Sequence, residues 1–165
     1  MWQADLTKIW ASSTVGWAYL VSVIDCYAQE IVGWDLSNRC RTEGAQAAVE
    51  RAVLERLPAG SHGVGLILTT DNGAQFTSTR FLETLARLEI THRYTAYHHP
   101  EGNSYIDRFH RSLKEEEVGL AEYRNPDKAG DYVGRYLGED NHDRPHRGLR
   151  ERTPRETYVS FESGL

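Results

Sequence analysis

Cysteine is nearly absent from this chain: two residues, Cys26 and Cys40, in 165. They flank a stretch that reads as a hairpin with its turn near Ala28-Gln29, which sets them about 25–30 Å apart along the strands. That is beyond disulfide reach, so two reduced thiols are expected. Long apolar runs are also missing. Nothing approaches the roughly 20 residues that span a bilayer, and no signal-peptide pattern stands at the start, so a cytoplasmic protein without membrane attachment is expected. Positive charge is scarce too: 19 Lys and Arg face 24 Asp and Glu, a net charge of −5. A dedicated nucleic-acid-binding module is strongly basic, and this composition argues against one. The distribution is uneven, however, with Lys114–Glu117 acid-rich and Arg144–Arg155 carrying five arginines and His146. There is no repeat, no low-complexity segment and no break in composition, and the length suits one domain, 1–165.

What is present is organised around Leu66–Phe76, LILTTDNGAQF. A short apolar run between turn signals reads as a buried strand, Leu66–Thr70. Asp71 stands where that strand leaves the core, in a turn made by Asn72-Gly73. Ahead of it, Trp2–Thr7 reads as a strand carrying one acid, Asp5, and Ser12–Gly16 as a turn. Trp17–Cys26 and Glu30–Asn38 form the strongest hairpin signal, rich in Val, Ile, Trp and Tyr. Three consecutive strands predict an antiparallel meander.

Thr42 is read as the cap of a helix running to about Leu57, with Ala45, Ala48, Val49, Ala52, Val53 and Leu57 at helical spacing and Pro58-Ala59-Gly60 ending it. Small alanines on that face allow close approach to a sheet. The order strand–helix–strand then implies a crossover and a parallel neighbour for the fourth strand. Ser78 is read as the cap of a second helix with Phe81, Leu82, Leu85 and Leu88 inward, followed by a fifth strand, Ile90–Tyr94. Tyr97–Asn103 is a polar, turn-rich loop expected to be mobile. A helix follows over Ser104–Val118 with Ile106, Phe109 and Leu113 as its apolar seam. Another starts at Asn125-Pro126, burying Ala129, Val133, Tyr136 and Leu137. The predicted fold class is α/β, a mixed five-stranded sheet with helices on its faces.

Three acids carry the chemistry. Singly, Asp5 is a strand-end charge, Asp71 a turn former, and Asp107 a partner for Arg111 one helical turn on, a pair worth only about 0.3 kcal/mol. Together they suggest more. Parallel strands deliver their carboxyl ends to one edge, where sites are built, and carboxylates are hard ligands suited to Mg²⁺ or Mn²⁺. Two such ions about 4 Å apart serve phosphoryl transfer. Spacing alone does not establish that the acids meet.

TTDNGAQF, followed by GNSYIDRFHRSLKEE, resembles the catalytic core of insertion-sequence transposases and retroviral-type integrases. WQADLT, VSVIDCYAQEIVGWDLS and the closing NHDRPHRGLRERTPRETY extend the resemblance over nearly the whole chain. It implies a ribonuclease-H-like fold and metal-dependent DNA cleavage and strand transfer, by in-line attack of water or a DNA 3′ hydroxyl on a phosphodiester. It further implies two Mg²⁺ or Mn²⁺ ions, DNA as partner (element ends and target), and a homodimer or higher oligomer. The family's triad is two aspartates and a glutamate, with 35 residues between the last two. Asp5 and Asp71 match the aspartates, and the 35-residue spacing falls on Asp107, inside Asn103-Ser104-Tyr105-Ile106-Asp107-Arg108-Phe109.

Here the glutamate is an aspartate. From an unchanged helix its carboxylate falls short by more than about 1 Å, where catalytic groups need placement within about 0.5 Å. The helix shifts inward, a water bridges the gap, or activity is impaired; Glu101, out of register, is a weak substitute. Beside Asp107 on the polar helix face, Asn103, Arg111 and Lys114 suit phosphate contacts, against the alternative of a solvated face. His98-His99 reads as a solvated pair rather than a metal site. The Arg144–Arg155 cluster suits DNA backbone, a solvated tail or a dimer contact equally. Relatives carry a helix-turn-helix region ahead of the core, which is expected to be absent here. Two other readings stay open: a transposase remnant that binds or assembles on DNA without catalysis, and another ribonuclease-H-like nuclease, disfavoured by the Arg-Pro-His and Thr-Pro ending.

Overall fold

Alternation along the first strand decides the architecture. In the computed structural model, which describes residues 1–12, 16–95, 103–118 and 126–164, β1 runs Trp2–Ser12. Trp2 and Ala4 join one buried cluster, while Ile9, on the opposite face of the pleat, joins another. A strand that is buried on both sides must lie inside a three-layer structure. β1 extends beyond the predicted Thr7, because Ile9 and Ala11 are fully buried and continue the pattern.

β2 (Gly16–Asp25) and β3 (Glu30–Ser37) complete the antiparallel meander. β4 (Ile67–Thr70) lies parallel to β1, and β5 (Thr91–Tyr94) parallel to β4. The sheet order is β3-β2-β1-β4-β5, the mixed five-stranded sheet expected. Cys26 and Cys40 are both free thiols, and burial pushes Cys26 up to about 11.

One face is covered by α1 (Thr42–Arg56) and α3 (Thr79–Arg87). α1 sits hard against β3: a Cβ at Gly33 would lie 2.1 Å from the Ala48 carbonyl oxygen and 2.8 Å from Ala52 Cβ. Glycine in the strand and alanines on the helix are what such a close approach requires. Thr42 is not the cap of α1. Arg41 holds that position without a side-chain bond, and the Thr42 hydroxyl instead donates to Ser78 Oγ.

Ser78 does cap α3, accepting from the Phe81 N–H, although a four-residue turn of helix, α2 (Ala74–Thr77), precedes it. Leu82 points outward, 38% exposed. Positions 81 and 82 are about 100° apart on a helix, and the buried stripe follows Phe81, Thr84 and Leu85.

The other face is covered by α4 (Ser104–Leu113) and α5 (Pro126–His142), with Ile106, Phe109, Leu113, Ala129, Val133, Tyr136 and Leu137 buried as predicted. The helix expected to reach Val118 changes at Lys114 into a π-helical turn, Lys114–Val118. α6 (Pro154–Glu162) starts with a capping box between Thr153 and Glu156, which gives the Thr-Pro ending a local structural role. It is tied back by Arg155 to Glu30 at 3.4 Å and by Tyr158 stacking under Arg56, itself in a buried ion pair with Glu30. The Asn of the closing motif, Asn141, is buried and exchanges two hydrogen bonds with the backbone of Ile31 on the β3 edge. Among the described residues no helix is long and apolar enough to cross a membrane.

Candidate acidic site

β1 and β4 are parallel neighbours, with Ala4 paired to Thr70. The next residue on each is an acid, so the pairing itself sets Asp5 beside Asp71. Asp71 lies just past the end of β4, and its Oδ1 accepts from the Gly73 N–H at 2.9 Å, closing the expected turn. Asp107 arrives from the first turn of α4.

Asp71 and Asp107 both feel the charge of Asp5. Burial pushes the Asp71 carboxyl above its ordinary range; the Gly73 N–H opposes this and the charge of Asp5 adds to it. Asp107 is raised by burial first and then by Asp5, with His110 and Arg111 opposing and Asp71 adding a smaller push. Repulsion among acids drawn from three separate elements is the electrostatic condition that a bound cation relieves. The donor set is hard oxygen, which fits a divalent ion of the Mg²⁺ class. Among the described residues, however, no three acids, histidines or cysteines are gathered closely enough to form a ready-made ion site.

Two residues missed by sequence reasoning fix this geometry. His110, one turn beyond Asp107 and 5% exposed, has Nδ1 3.3 Å from Asp5 Oδ2 and Nε2 3.2 Å from Ser22 Oγ. Asp5 and Ser22 are register partners on β1 and β2, so the imidazole spans a cross-strand pair. Gln3, on the same face of β1 as Asp5, accepts the Ile106 N–H with its Oε1 at 3.3 Å. Alternate residues of β1 thus grip α4 at two points, one on either side of Asp107. The available signal was that His110 abuts Phe109 on the seam of Ile106, Phe109 and Leu113, where a solvated histidine is not expected.

A second histidine supports the second acid. His92 Nε2 lies 2.9 Å from Thr70 Oγ1, and that hydroxyl donates to the Asp71 carbonyl at 2.8 Å. Burial pushes His92 down, toward the neutral imidazole.

The remaining predicted residues divide. Arg111 and Lys114 are exposed beside Asp107. Asn103 is buried, 8% exposed, and its Oδ1 has no hydrogen-bond partner, so it does not stand on the open helix face with the two bases. Glu101, His98 and His99 lie outside the described residues. In the arginine-rich ending, Arg144 is held by Glu116 at 2.5 Å and Asp140 at 3.7 Å, and Arg155 by Glu30 and Glu55. Arg147 and Arg150 remain exposed.

Known proteins share this arrangement of strands and sequence. The chain is 28% identical over 157 residues to the transposase for insertion sequence element IS904 of Lactococcus lactis, covering 94% of this chain and 60% of that protein. A putative transposase for IS986/IS6110 of Mycobacterium tuberculosis is 38% identical over 91 residues, which is 54% of this chain and 32% of the relative. The chain therefore spans less than two thirds of the length of these curated relatives.

Among solved structures, the catalytic core domain of BIV integrase superposes with a TM-score of 0.68 at 19% identity, covering 99% of this chain and 95% of that one. A chain of the simian T-cell lymphotropic virus intasome, solved in complex with PP2A regulatory subunit B56 gamma, gives 0.72 at 17% identity over 95% of this chain and 53% of its own. The fold is ribonuclease-H-like, as the sequence resemblance implied. A family model described as integrase core domain matches residues 1–100, and a second of the same description matches residues 88–154. The chain belongs to the integrase core domain family.

Proposed function

We propose that these residues form the catalytic core of a transposase, cleaving DNA and joining its ends by metal-dependent phosphoryl transfer at Asp5, Asp71 and Asp107. The family acts on DNA, forms oligomeric complexes and generally uses divalent metal ions. The observation that carries the reading is the convergence of these acids at the edge shared by β1, β4 and α4, where the charge of Asp5 adds to the burial that raises Asp71 and Asp107.

Asp5 and Asp71 would hold Mg²⁺ or Mn²⁺ first, because the β1–β4 ladder fixes both; Asp107 would complete a second ion. A bound ion supplies Lewis acidity, lowering the pKa of the attacking water or DNA 3′ hydroxyl and neutralising charge on the phosphodiester. The chain's own residues then orient the carboxylates, while Arg111 and Lys114 contact DNA phosphates and Asn103 supports the loop end of α4. DNA ends and target are the partners, and a homodimer or larger assembly is the working form.

Mn²⁺ titration followed by thermal unfolding tests the site without requiring turnover. At about 100 times the Kd, Mn²⁺ should raise Tm by roughly 5–10 °C, and Asp5→Asn should remove most of that rise. No Mn²⁺-dependent shift in the wild type, together with no DNA cleavage, would overturn the reading.

His110 is expected to act through Asp5. Groups that orient metal-binding side chains typically contribute 10–100-fold in affinity or activity. His110→Ala should therefore weaken Mn²⁺ binding by about 10-fold or more, and His110→Gln should recover part of it by restoring a donor. Unchanged Mn²⁺ affinity in a folded His110→Ala protein would show that the imidazole merely fills space.

A further inference from the structure

On the side of α4 away from Asp107, the segment Arg144–Gly148 closes a cleft of about 300 Å³ against the helix. Its character is divided. Tyr105, Phe109 and Pro145 give it an apolar wall, while Arg108 and Arg147 line it with positive charge. Both arginines are exposed, and neither guanidinium has an ion-pair or hydrogen-bond partner among the described residues. The third cation, Arg144, is already taken up by Glu116 and Asp140. Deeper in, the His146 Nε2 is buried without a hydrogen-bond partner, 3.4 Å from an Asp140 oxygen.

We infer that this cleft is a subsite for one nucleotide of a DNA strand, its phosphate held between Arg108 and Arg147 and its base resting on the Tyr105 side. The inference rests on the proposed function, which supplies DNA as the substrate, and adds a place for it. The volume is at the lower end of small-ligand sites, the size of a single nucleotide rather than of a duplex. Two unpaired arginines offer forked donors matched to a phosphodiester. An aromatic wall suits a base of any sequence, since stacking does not read its edge.

The position also fits. Arg108 follows Asp107 directly on a helix clamped by Gln3 and His110, so cleft and acids are held rigidly about one helix diameter, roughly 10 Å, apart. A strand lying across the acids then places a nearby nucleotide at the cleft. The comparable groove between α1 and α3 offers no such charge, because Arg80 and Arg87 are spent on Glu43 and Glu50.

Fluorescence anisotropy with a labelled 20-nucleotide single strand of mixed sequence, in EDTA, tests this apart from catalysis. Arg108→Ala/Arg147→Ala should weaken binding by about 10-fold or more and flatten its salt dependence by about one phosphate contact. Arg80→Ala/Arg87→Ala, which removes the same charge elsewhere, should change affinity less than about 2-fold. A Tyr105→Phe variant should bind as wild type does, and Tyr105→Ala should lose about 5–10-fold through lost stacking. Equal losses in the two double-arginine variants, or none in Arg108→Ala/Arg147→Ala, would overturn the subsite. Either result leaves the proposed function standing if the wild type still cleaves DNA with Mn²⁺. Arginine-dependent binding without any cleavage would instead support the subsite and sink the catalytic reading.

Discussion

Asp71→Asn should abolish Mn²⁺-dependent DNA cleavage and joining, a loss of about 10³-fold or more, and should at the same time make the metal-free protein more stable. The loss follows from Asp71's place: it is the acid that the β4 end and the Gly73 N–H hold beside Asp5. A factor of 10³ corresponds to about 4 kcal/mol of barrier, within the several kcal/mol that Lewis-acid stabilisation supplies. The gain follows from the raised carboxyl. Burial and the charge of Asp5 push it above 3.8, so the folded chain holds the proton more tightly than the unfolded chain does. The ionised carboxylate therefore weakens the fold above its folded-state pKa, and the penalty fades as pH falls through that value toward and below 3.8.

Asparagine removes the charge and keeps an oxygen for the Gly73 N–H. Tm should rise by about 1–3 °C at pH 7, with the difference from wild type shrinking by pH 3.5. Calorimetry at the two pH values, in EDTA, measures it. Retained cleavage by Asp71→Asn would end the site assignment, and a lower Tm at pH 7 would end the electrostatic account.

How far the sequence reached is best seen in β1. The alternation Trp2-Gln3-Ala4-Asp5 predicts a strand, and its one acid is visible at once. What Gln3 does there was not visible, because its partner is the Ile106 N–H, 103 residues away. The same holds for Asn141 on Ile31, 110 residues apart. Periodicity announces which side chains are buried; it does not tell which backbone groups a buried amide will satisfy. Leu82 shows the limit of hydrophobicity without phase, since it stands about 100° round from Phe81, off the stripe of Phe81, Thr84 and Leu85.

Asn103 shows the limit of reading a polar residue as a surface contact: it is buried, and its neighbours on the loop side lie outside the described residues. Motif spacing, by contrast, points to Asp107, which feels the charges of Asp5 and Asp71, because a 35-residue interval is long-range information that local pattern lacks.

Asp107→Glu should raise Mn²⁺-dependent strand transfer by about 10–100-fold, the size of effect that a 1 Å misplacement has on a catalytic group. The structure sharpens the reason. An aspartate can reach the position of a glutamate only if its helix moves inward, and α4 is not free to move. Gln3 holds the Ile106 N–H, and His110 is wedged between Asp5 and Ser22. Sliding α4 by 1 Å would stretch both contacts and disturb the buried seam of Ile106, Phe109 and Leu113, where packing tolerates little displacement.

Lengthening the side chain by one methylene leaves those contacts in place, and its exposed position on α4 allows the extension. If the gain appears in the rate and Mn²⁺ affinity rises with it, the shortened acid is what limits the native chain. If Asp107→Glu is equal or lower in both, the wild-type carboxylate already reaches its ion through a bridging water, and the shorter side chain is the length this site requires.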